Sequence, residues 1–439
     1  MFIVSLHKDV NQIAKKNEAS RRKDILTNKN RSVRIGVISD TAPPQSEGGI
    51  GSAHYNLYRA LRSKGLNAEL FLFFHRDSGR AAPDIPDEET IHRFGPPPWL
   101  RKLLLNLNKV VFQLIAPGQT AWNTVDIFIS GLGIRRMNST LRRFSPDLII
   151  VPDHGAPGLW IHKPKRAVMH LISHHNPKRF SGEPLLGNNS QLDADLAVWL
   201  ENKALRRVQK VSCPSRHMKM WFDKTYQFSG EVRVIPNLIL KKEIQEIPAV
   251  DPRALLGQST DSILIGIPSG QTAVKGSHLI AQIVRGIAEK VIEQIGFFLA
   301  GEVDPALTVS LGQLPKNVTV HTPGRLSHDE FIASFKSCSF GIFPSLRDNY
   351  SMALLEAVVC GVPMIAFDTG GNADIIRHGE NGLLFADISS QALIDASVAL
   401  IRDAKALNSL REKTSQYADT HFDSDQIINQ YIDYFLPNI

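Results

Sequence analysis

Cysteine is scarce in this chain: three in 439 residues, Cys213, Cys338 and Cys360. An odd number without C-x-x-C spacing excludes a disulfide framework and a zinc ribbon, and the expected compartment is the reducing cytosol. Long apolar runs are missing as well. No window approaches the roughly 18 uninterrupted apolar residues of a membrane span. The N-terminus, MFIVSLHKDV, turns charged after six residues, so neither a spanning helix nor a secretory signal peptide is expected. Charged residues make up 21% and hydrophobic ones 43%, a balance that excludes collagen-like, coiled-coil and wholly disordered chains. At roughly 150 residues per domain the length implies two or three domains, not one small binding module.

The net charge of +7 is unevenly spread. Met1 to Arg34 holds nine Lys and Arg against three acids, a net +6, which leaves +1 for the other 405 residues. A basic, apolar-poor leader before a balanced body reads as a flexible extension over residues 1–32, solvated or touching an anionic surface. It implies no specific nucleic-acid partner.

Val33-Arg-Ile-Gly-Val-Ile-Ser39 is a β-branched run followed by a glycine-containing loop, Asp40 to Gly51, and then a helical pattern on Ala53, Leu57, Ala60 and Leu61. Ala68 to Phe74 is the next strand, and Asp147–Val151 and Ala167–Leu171 continue the series. A second series opens at Ser262–Ile267, with further strands at Gly296–Ala300, Phe340–Phe343 and Pro363–Phe367 and a helix from about Ser351 to Cys360. The alternation predicts an α/β protein of two Rossmann-like doubly wound domains facing a cleft. Their expected extents are 33–240 and 241–420, with residues 421–439 forming a terminal helix that crosses back to the first domain.

Ligands of open parallel sheets sit beyond the carboxyl ends of the strands. After Phe340–Ser345 comes a stretch with Asp348 in a loop and Glu356 on a helix, seven residues between them. Ser351 is the expected N-cap, which aims the free amides and positive end of that helix at the cleft. A phosphate or a cluster of sugar hydroxyls suits such a place. A carboxylate inside the apolar run Met352-Ala-Leu-Leu-Glu-Ala-Val-Val requires a partner; Glu356 has the acceptor pair that adjacent ribose hydroxyls need.

This block, with Phe367-Asp-Thr-Gly-Gly-Asn-Ala-Asp-Ile-Ile376 and Gly379-Glu-Asn-Gly-Leu-Leu-Phe385, resembles the donor-site signature of the retaining family 4 glycosyltransferases, which have the two-lobed type B fold. That signature has two spaced acids, a helix of small residues, C-G-x-P and a G-G loop. Asp348 stands where the family usually has Glu. The resemblance covers about residues 33 to 435 and is most specific from 340 to 385. It implies that Glu356 holds the nucleotide ribose, and that Asp348 with the amides of Asn349, Tyr350, Ser351 and Met352 holds the donor sugar.

The same resemblance assigns other segments. Pro268-Ser-Gly-Gln-Thr-Ala-Val-Lys-Gly276 supplies the family's diphosphate lysine, Lys275, but not its arginine. Gly270 or Gln271 stands in that place, so Lys275 and helix-end amides neutralise the leaving group, or Arg325 or Arg347 substitutes. The P-loop pattern is not met, because Gly276 follows the lysine. Gly48, Gly49 and Gly51 match the glycine loop that faces donor phosphates and acceptor; by themselves they only let backbone approach an anion closely. Ser173-His-His-Asn-Pro177 lies where such enzymes carry a histidine near the reacting sugar, so His174 and His175 join Lys275 and Asp348 as catalytic candidates; the alternative for one of the two histidines is a structural role only. With His170 they also have a loose metal-ligand spacing, but no carboxylate is nearby and no metal is expected.

Trp99 to Ile115 has apolar residues at 99, 100, 103, 104, 107, 111, 114 and 115, with Arg101, Lys102 and Lys109 alongside. An interfacial helix docking on anionic lipid has this pattern, and so does an amphipathic helix covering the sheet. The N-x-[ST] triplets at Asn138, Asn188 and Asn317 are chance matches without a secretory signal.

The expected activity is transfer of a sugar from a nucleotide-diphosphate sugar to a hydroxyl of a glycan, lipid-linked glycan or small molecule, with retention. Neither a cofactor nor a metal is expected, and the place is the cytoplasm or the inner face of its membrane. A catalytically silent sugar-nucleotide-binding protein stays open because the diphosphate arginine is absent. A nucleotide-sugar epimerase or phosphorylase of the same architecture stays open too.

Overall fold

A computed structural model describes residues 33–43, 48–74, 89–180, 188–268, 272–303 and 305–436. Gly270 and the basic extension over residues 1–32 lie outside the described residues.

The first sheet is built on Val, Ile and Leu runs closed to water: β1 (Arg34–Ser39), β4 (Leu148–Pro152) and β5 (Val168–Ile172) at its centre. It is completed by β2 (Asn67–Leu72), β3 (Ile91–Arg93), β6 (Lys210–Cys213) and β7 (Val232–Val234). All seven pair in parallel, in the order β3-β2-β1-β4-β5-β6-β7. The second sheet, also parallel, comprises β8 (Ile263–Ile267), β9 (Ile295–Leu299), β10 (Val318–His321), β11 (Phe340–Phe343), β12 (Met364–Phe367) and β13 (Gly382–Phe385). Its order is β10-β9-β8-β11-β12-β13. Parallel strands buried on both faces require helices on both sides, so each sheet makes a doubly wound lobe.

The order reverses in each sheet beside its first strand. After β1, β2 and β3 the chain returns to lay β4 on the free side of β1; β8 and β11 repeat the move. A crevice opens at such a reversal, beyond the carboxyl ends. The loops that follow β1 and β4 in one lobe, and β8 and β11 in the other, are therefore the places where side chains meet a ligand.

The chain crosses between lobes twice. Helix Ser424–Phe435 is capped by Asp423, whose Oδ1 accepts from the amides of Asp425 (2.7 Å) and Gln426 (3.2 Å). It places Ile427, Ile428, Tyr431, Tyr434 and Phe435 in the core of the first lobe beside Ile35, Leu70 and Ile150. Tyr434 Oη donates to the carbonyls of Glu231 (2.6 Å) and Val211 (3.1 Å). Directly across the cleft, Arg216 Nε meets Asp374 Oδ1 at 2.7 Å, and Ala53 of the first lobe packs in the same apolar cluster as Met352 of the second.

No described helix is long and apolar enough to cross a membrane. Helix Pro98–Ile115 does not cover the sheet, one of the two arrangements its periodicity allows. Phe112 is its only buried residue, and its apolar stripe faces outward.

Candidate functional site

The two crevices face each other across a cavity of about 430 Å3. The Gly48–Gly49 loop borders it at the start of helix Gly49–Ser63, with Ser52 one turn on. Gly49 lies against the second lobe; a Cβ there would stand 3.6 Å from Met352 Cγ. Gly51 is buried two residues further in and does not border the cavity.

On the other side, β8 runs into a single turn, Ala273–Lys275, that brings Lys275 to the cavity wall. The turn depends on Gly276, which has φ +77° and would place a Cβ 2.2 Å from the Pro344 carbonyl oxygen. Only glycine accepts both. Lys275 Nζ makes an ion pair with the Asp348 carboxylate, so the lysine after β8 and the acid after β11 meet at the reversal.

The loop holding Asp348 is fixed from below by Gly370 and Gly371. Gly371 donates its amide to the Asp348 carbonyl at 2.8 Å, and a Cβ on Gly371 would fall 1.9 Å from the Asn349 carbonyl oxygen. Ser351 then caps helix Met352–Val359, its Oγ accepting from the Leu354 amide at 3.4 Å. First-turn amides have no intrahelical acceptor, and this helix end, through Ser351, Met352 and Ala353, opens on the cavity. Tyr350 borders it too, whereas the Asn349 side chain reaches away and donates to the His174 carbonyl of the other lobe.

Glu356 is the one charged residue of its helix and is 8% exposed. The partner such a burial demands is His328, whose Nε2 lies 3.3 Å from Glu356 Oε1. Hydrogen bonding to Glu356 raises the His328 pKa against the opposing effect of burial, with Asp329 adding to the rise. His328 opens helix His328–Phe335 behind a reciprocal cap of Ser327 and Glu330. Arg325, three residues earlier, lines the same cavity as Lys275.

The histidine pair is not assembled at this cavity. The His174 ring packs 5.2 Å from that of His54, and burial drives its pKa far below the usual histidine range. His175 turns to the other side, toward Trp122 (5.8 Å) and His154 (5.6 Å). Both backbone amides donate to the Asp153 carboxylate, at 3.1 and 2.9 Å. His170 packs against Phe435, the ring centroids 4.7 Å apart and the planes tilted by 47°, so the three histidines share no centre. Among the described residues no group of three His, Cys, Asp or Glu could hold a metal ion.

Sequence reasoning missed the residues at the reversal of the first sheet. Asp40 follows β1 and His154 follows β4; His154 Nδ1 lies 3.6 Å from Asp40 Oδ2. Burial opposes a charge on this imidazole, but the Asp40 carboxylate, with Asp126 and Asp153, overrides it and raises the pKa to about 9. The strand-end rule alone pointed to both positions. Arg179 was missed as well. Burial lowers it to about 10, against the favourable field of Asp348 across the cleft, and Arg347 repels it.

Two facing doubly wound lobes with a cavity between their sheet reversals define the class: a two-lobed type B fold. Residues 47–239 match Glycosyltransferase Family 4, and residues 256–420 match Glycosyl transferases group 1. The chain belongs to the family 4 type of these two-lobed glycosyltransferases. It is similar to N-acetyl-alpha-D-glucosaminyl L-malate synthase of Bacillus anthracis, 30% identical over 87 residues, or 20% of this chain and 23% of that one. D-inositol 3-phosphate glycosyltransferase 1 of Catenulispora acidiphila is 25% identical over 179 residues, 38% of this chain and 42% of that one. The matched stretch spans less than half of either relative. Among solved structures, the sucrose-phosphate synthase of Thermosynechococcus elongatus superposes with TM-score 0.69 at 17% identity, covering 92% of this chain and 98% of that one. Anabaena HepE in complex with UDP and glucose superposes with TM-score 0.63 at 18% identity, covering 92% and 99%. These two likenesses show the fold.

Proposed function

We propose that the protein transfers a sugar from a nucleotide-diphosphate sugar to an acceptor hydroxyl in this cleft, with retention of the anomeric configuration. The observation that carries the reading is the convergence of Lys275, Asp348, Glu356 and the open end of helix Met352–Val359 on one cavity between two facing sheet reversals. Glu356, steadied by His328, accepts the ribose hydroxyls. Asp348 and the Tyr350–Met352 turn take the donor sugar. The acceptor oxygen bonds to the anomeric carbon as the bond to the diphosphate breaks, and the acceptor proton passes to the departing diphosphate. Charge grows on that leaving group, so Lys275, Arg325 and the helix end give preorganised stabilisation, and the reading assigns this task to side chains instead of a metal ion. Lys275 pairs with Asp348 until the donor arrives, which keeps both side chains in place. Support also comes from the names of the relatives, which transfer sugars to L-malate and to an inositol phosphate, and from the UDP and glucose held by the Anabaena protein.

The test is product analysis of the full chain with a panel of nucleotide-diphosphate sugars, with and without hydroxyl acceptors. Transfer reading: nucleoside diphosphate is released with a glycosylated product of the donor's own anomeric configuration. Donor consumption without acceptor to give an epimer, a requirement for inorganic phosphate, or binding with no turnover would each replace it with one of the other readings.

A further inference from the structure

Helix Pro98–Ile115 carries its apolar side outward. Trp99, Leu103, Leu107, Val110 and Leu114 are 69, 54, 56, 54 and 80% exposed. At 100° per residue they fall within a sector of about 80°, a single stripe along a rod about 27 Å long. The helix is held from the opposite side, by buried Phe112 and by Asn108, whose Nδ2 donates to the Ala121 carbonyl at 2.6 Å. Lys102 and Lys109 are exposed along one border of the stripe, and the helix contains no acid.

A second outward stripe, Leu192, Leu196 and Trp199, lies on helix Gln191–Leu205. The end of the first helix and the start of the second are tied together: the Thr120 amide donates to the Asn188 carbonyl at 2.7 Å and the Ser190 amide to the Thr120 carbonyl at 2.8 Å. Soluble chains rarely leave so much contiguous apolar surface without an occupant. The stripe of helix Pro98–Ile115, bordered by lysines and lacking acids, is complementary to an apolar layer beneath anionic groups, which is the interface of a bilayer. On the second helix the exposed Asp195 beside Leu192 and Leu196 is paired with Lys178 at 2.9 Å.

We propose that this face docks on a lipid surface bearing anionic headgroups. The helix lies in the plane of the interface, with its apolar stripe among the upper acyl chains and Lys102 and Lys109 in the headgroup layer. Docking would set the first lobe against the membrane and offer the cleft to a lipid-borne acceptor. That last consequence rests on the transferase reading; the docking itself does not.

The test is co-sedimentation of the full chain, without any sugar donor, with vesicles of phosphatidylcholine alone and of phosphatidylcholine mixed with phosphatidylglycerol. The wild type should pellet with the mixed vesicles and weakly with the neutral ones. Leu107→Glu with Leu114→Glu should lower partitioning by at least about tenfold at an unchanged unfolding temperature. Lys102→Glu with Lys109→Glu should abolish the preference for anionic vesicles. A wild type that stays in the supernatant with both vesicles, or a Leu107→Glu/Leu114→Glu variant that still pellets, overturns the proposal. So does a wild-type dimer in light scattering that the same variant turns to monomer without vesicle binding, since the occupant would then be a second copy.

Discussion

Gly370 sits directly beneath Asp348: a Cβ on this glycine would fall 1.9 Å from the Asp348 carbonyl oxygen, and its φ of +60° is one that other residues avoid. The acid that meets Lys275 is thus aimed by a backbone contact from the following loop. Gly370→Ala should lower stability by roughly 2 kcal/mol or more and reduce turnover, through both the left-handed backbone and the displaced loop. Thermal unfolding and steady-state kinetics check it. A fully stable, fully active variant would show that Asp348 does not depend on this support.

Lys275 and Arg325 both line the cavity, and the proposed transfer assigns the leaving diphosphate to them. Lys275→Ala should lower kcat by about a hundredfold or more, and Arg325→Ala by a smaller but clear factor, if both stabilise developing charge. Should Arg325→Ala leave kcat intact while Arg179→Ala lowers it, the missing arginine is replaced from the first lobe instead.

His54 and His174 are held neutral by burial, His54 at about 4 and His174 well below the ordinary 6.5. Their folded values lie below their unfolded ones, so the unfolded chain binds more protons on acidification. The stability they allow is present above about 6.5 and is lost as pH falls toward about 4. His54→Asn should flatten that acid limb in unfolding measurements made from pH 4 to 7. An identical pH profile would mean that His54 is not neutral in the folded protein.

His154 behaves oppositely. Its folded value of about 9 lies above 6.5, so the stability from its pairing with Asp40 is full below about 6.5 and is lost as pH rises through about 9. The loss should approach about 1.4 kcal/mol per pH unit across that window. His154→Gln should remove this decline, while the wild type retains it; equal slopes would refute the pairing.

Much of the donor side was legible because it is local in sequence. Asp348, Ser351 and Glu356 lie within nine consecutive residues, and the Gly370–Gly371 loop follows on the next strand, so spacing alone put them at one strand end. What joins them to the rest is not local. His328, the partner of Glu356, comes from a different strand-end loop. Asn349 spends its amide on His174 of the other lobe, a contact no spacing reveals. The two adjacent histidines looked equivalent in sequence, yet alternation along an extended segment turns their rings to different sides. Asp40 and His154 are brought together by the pairing of β1 with β4, more than a hundred residues apart, and only the sheet order discloses it. The stripe of Pro98–Ile115 had the right period for either a covering or an outward helix; the position of Phe112 decides between them.

The most direct measurement is calorimetric titration of the full chain with nucleoside diphosphates of each base, beside the Glu356→Gln variant. A nucleotide-sugar site formed by Glu356 and His328 predicts selective binding of one diphosphate by the wild type, weakened about tenfold or more in the variant, since a hydrogen bond to a charged group contributes roughly 1.5–3 kcal/mol. Equal affinities for wild type and variant, or no binding of any nucleotide, would contradict it.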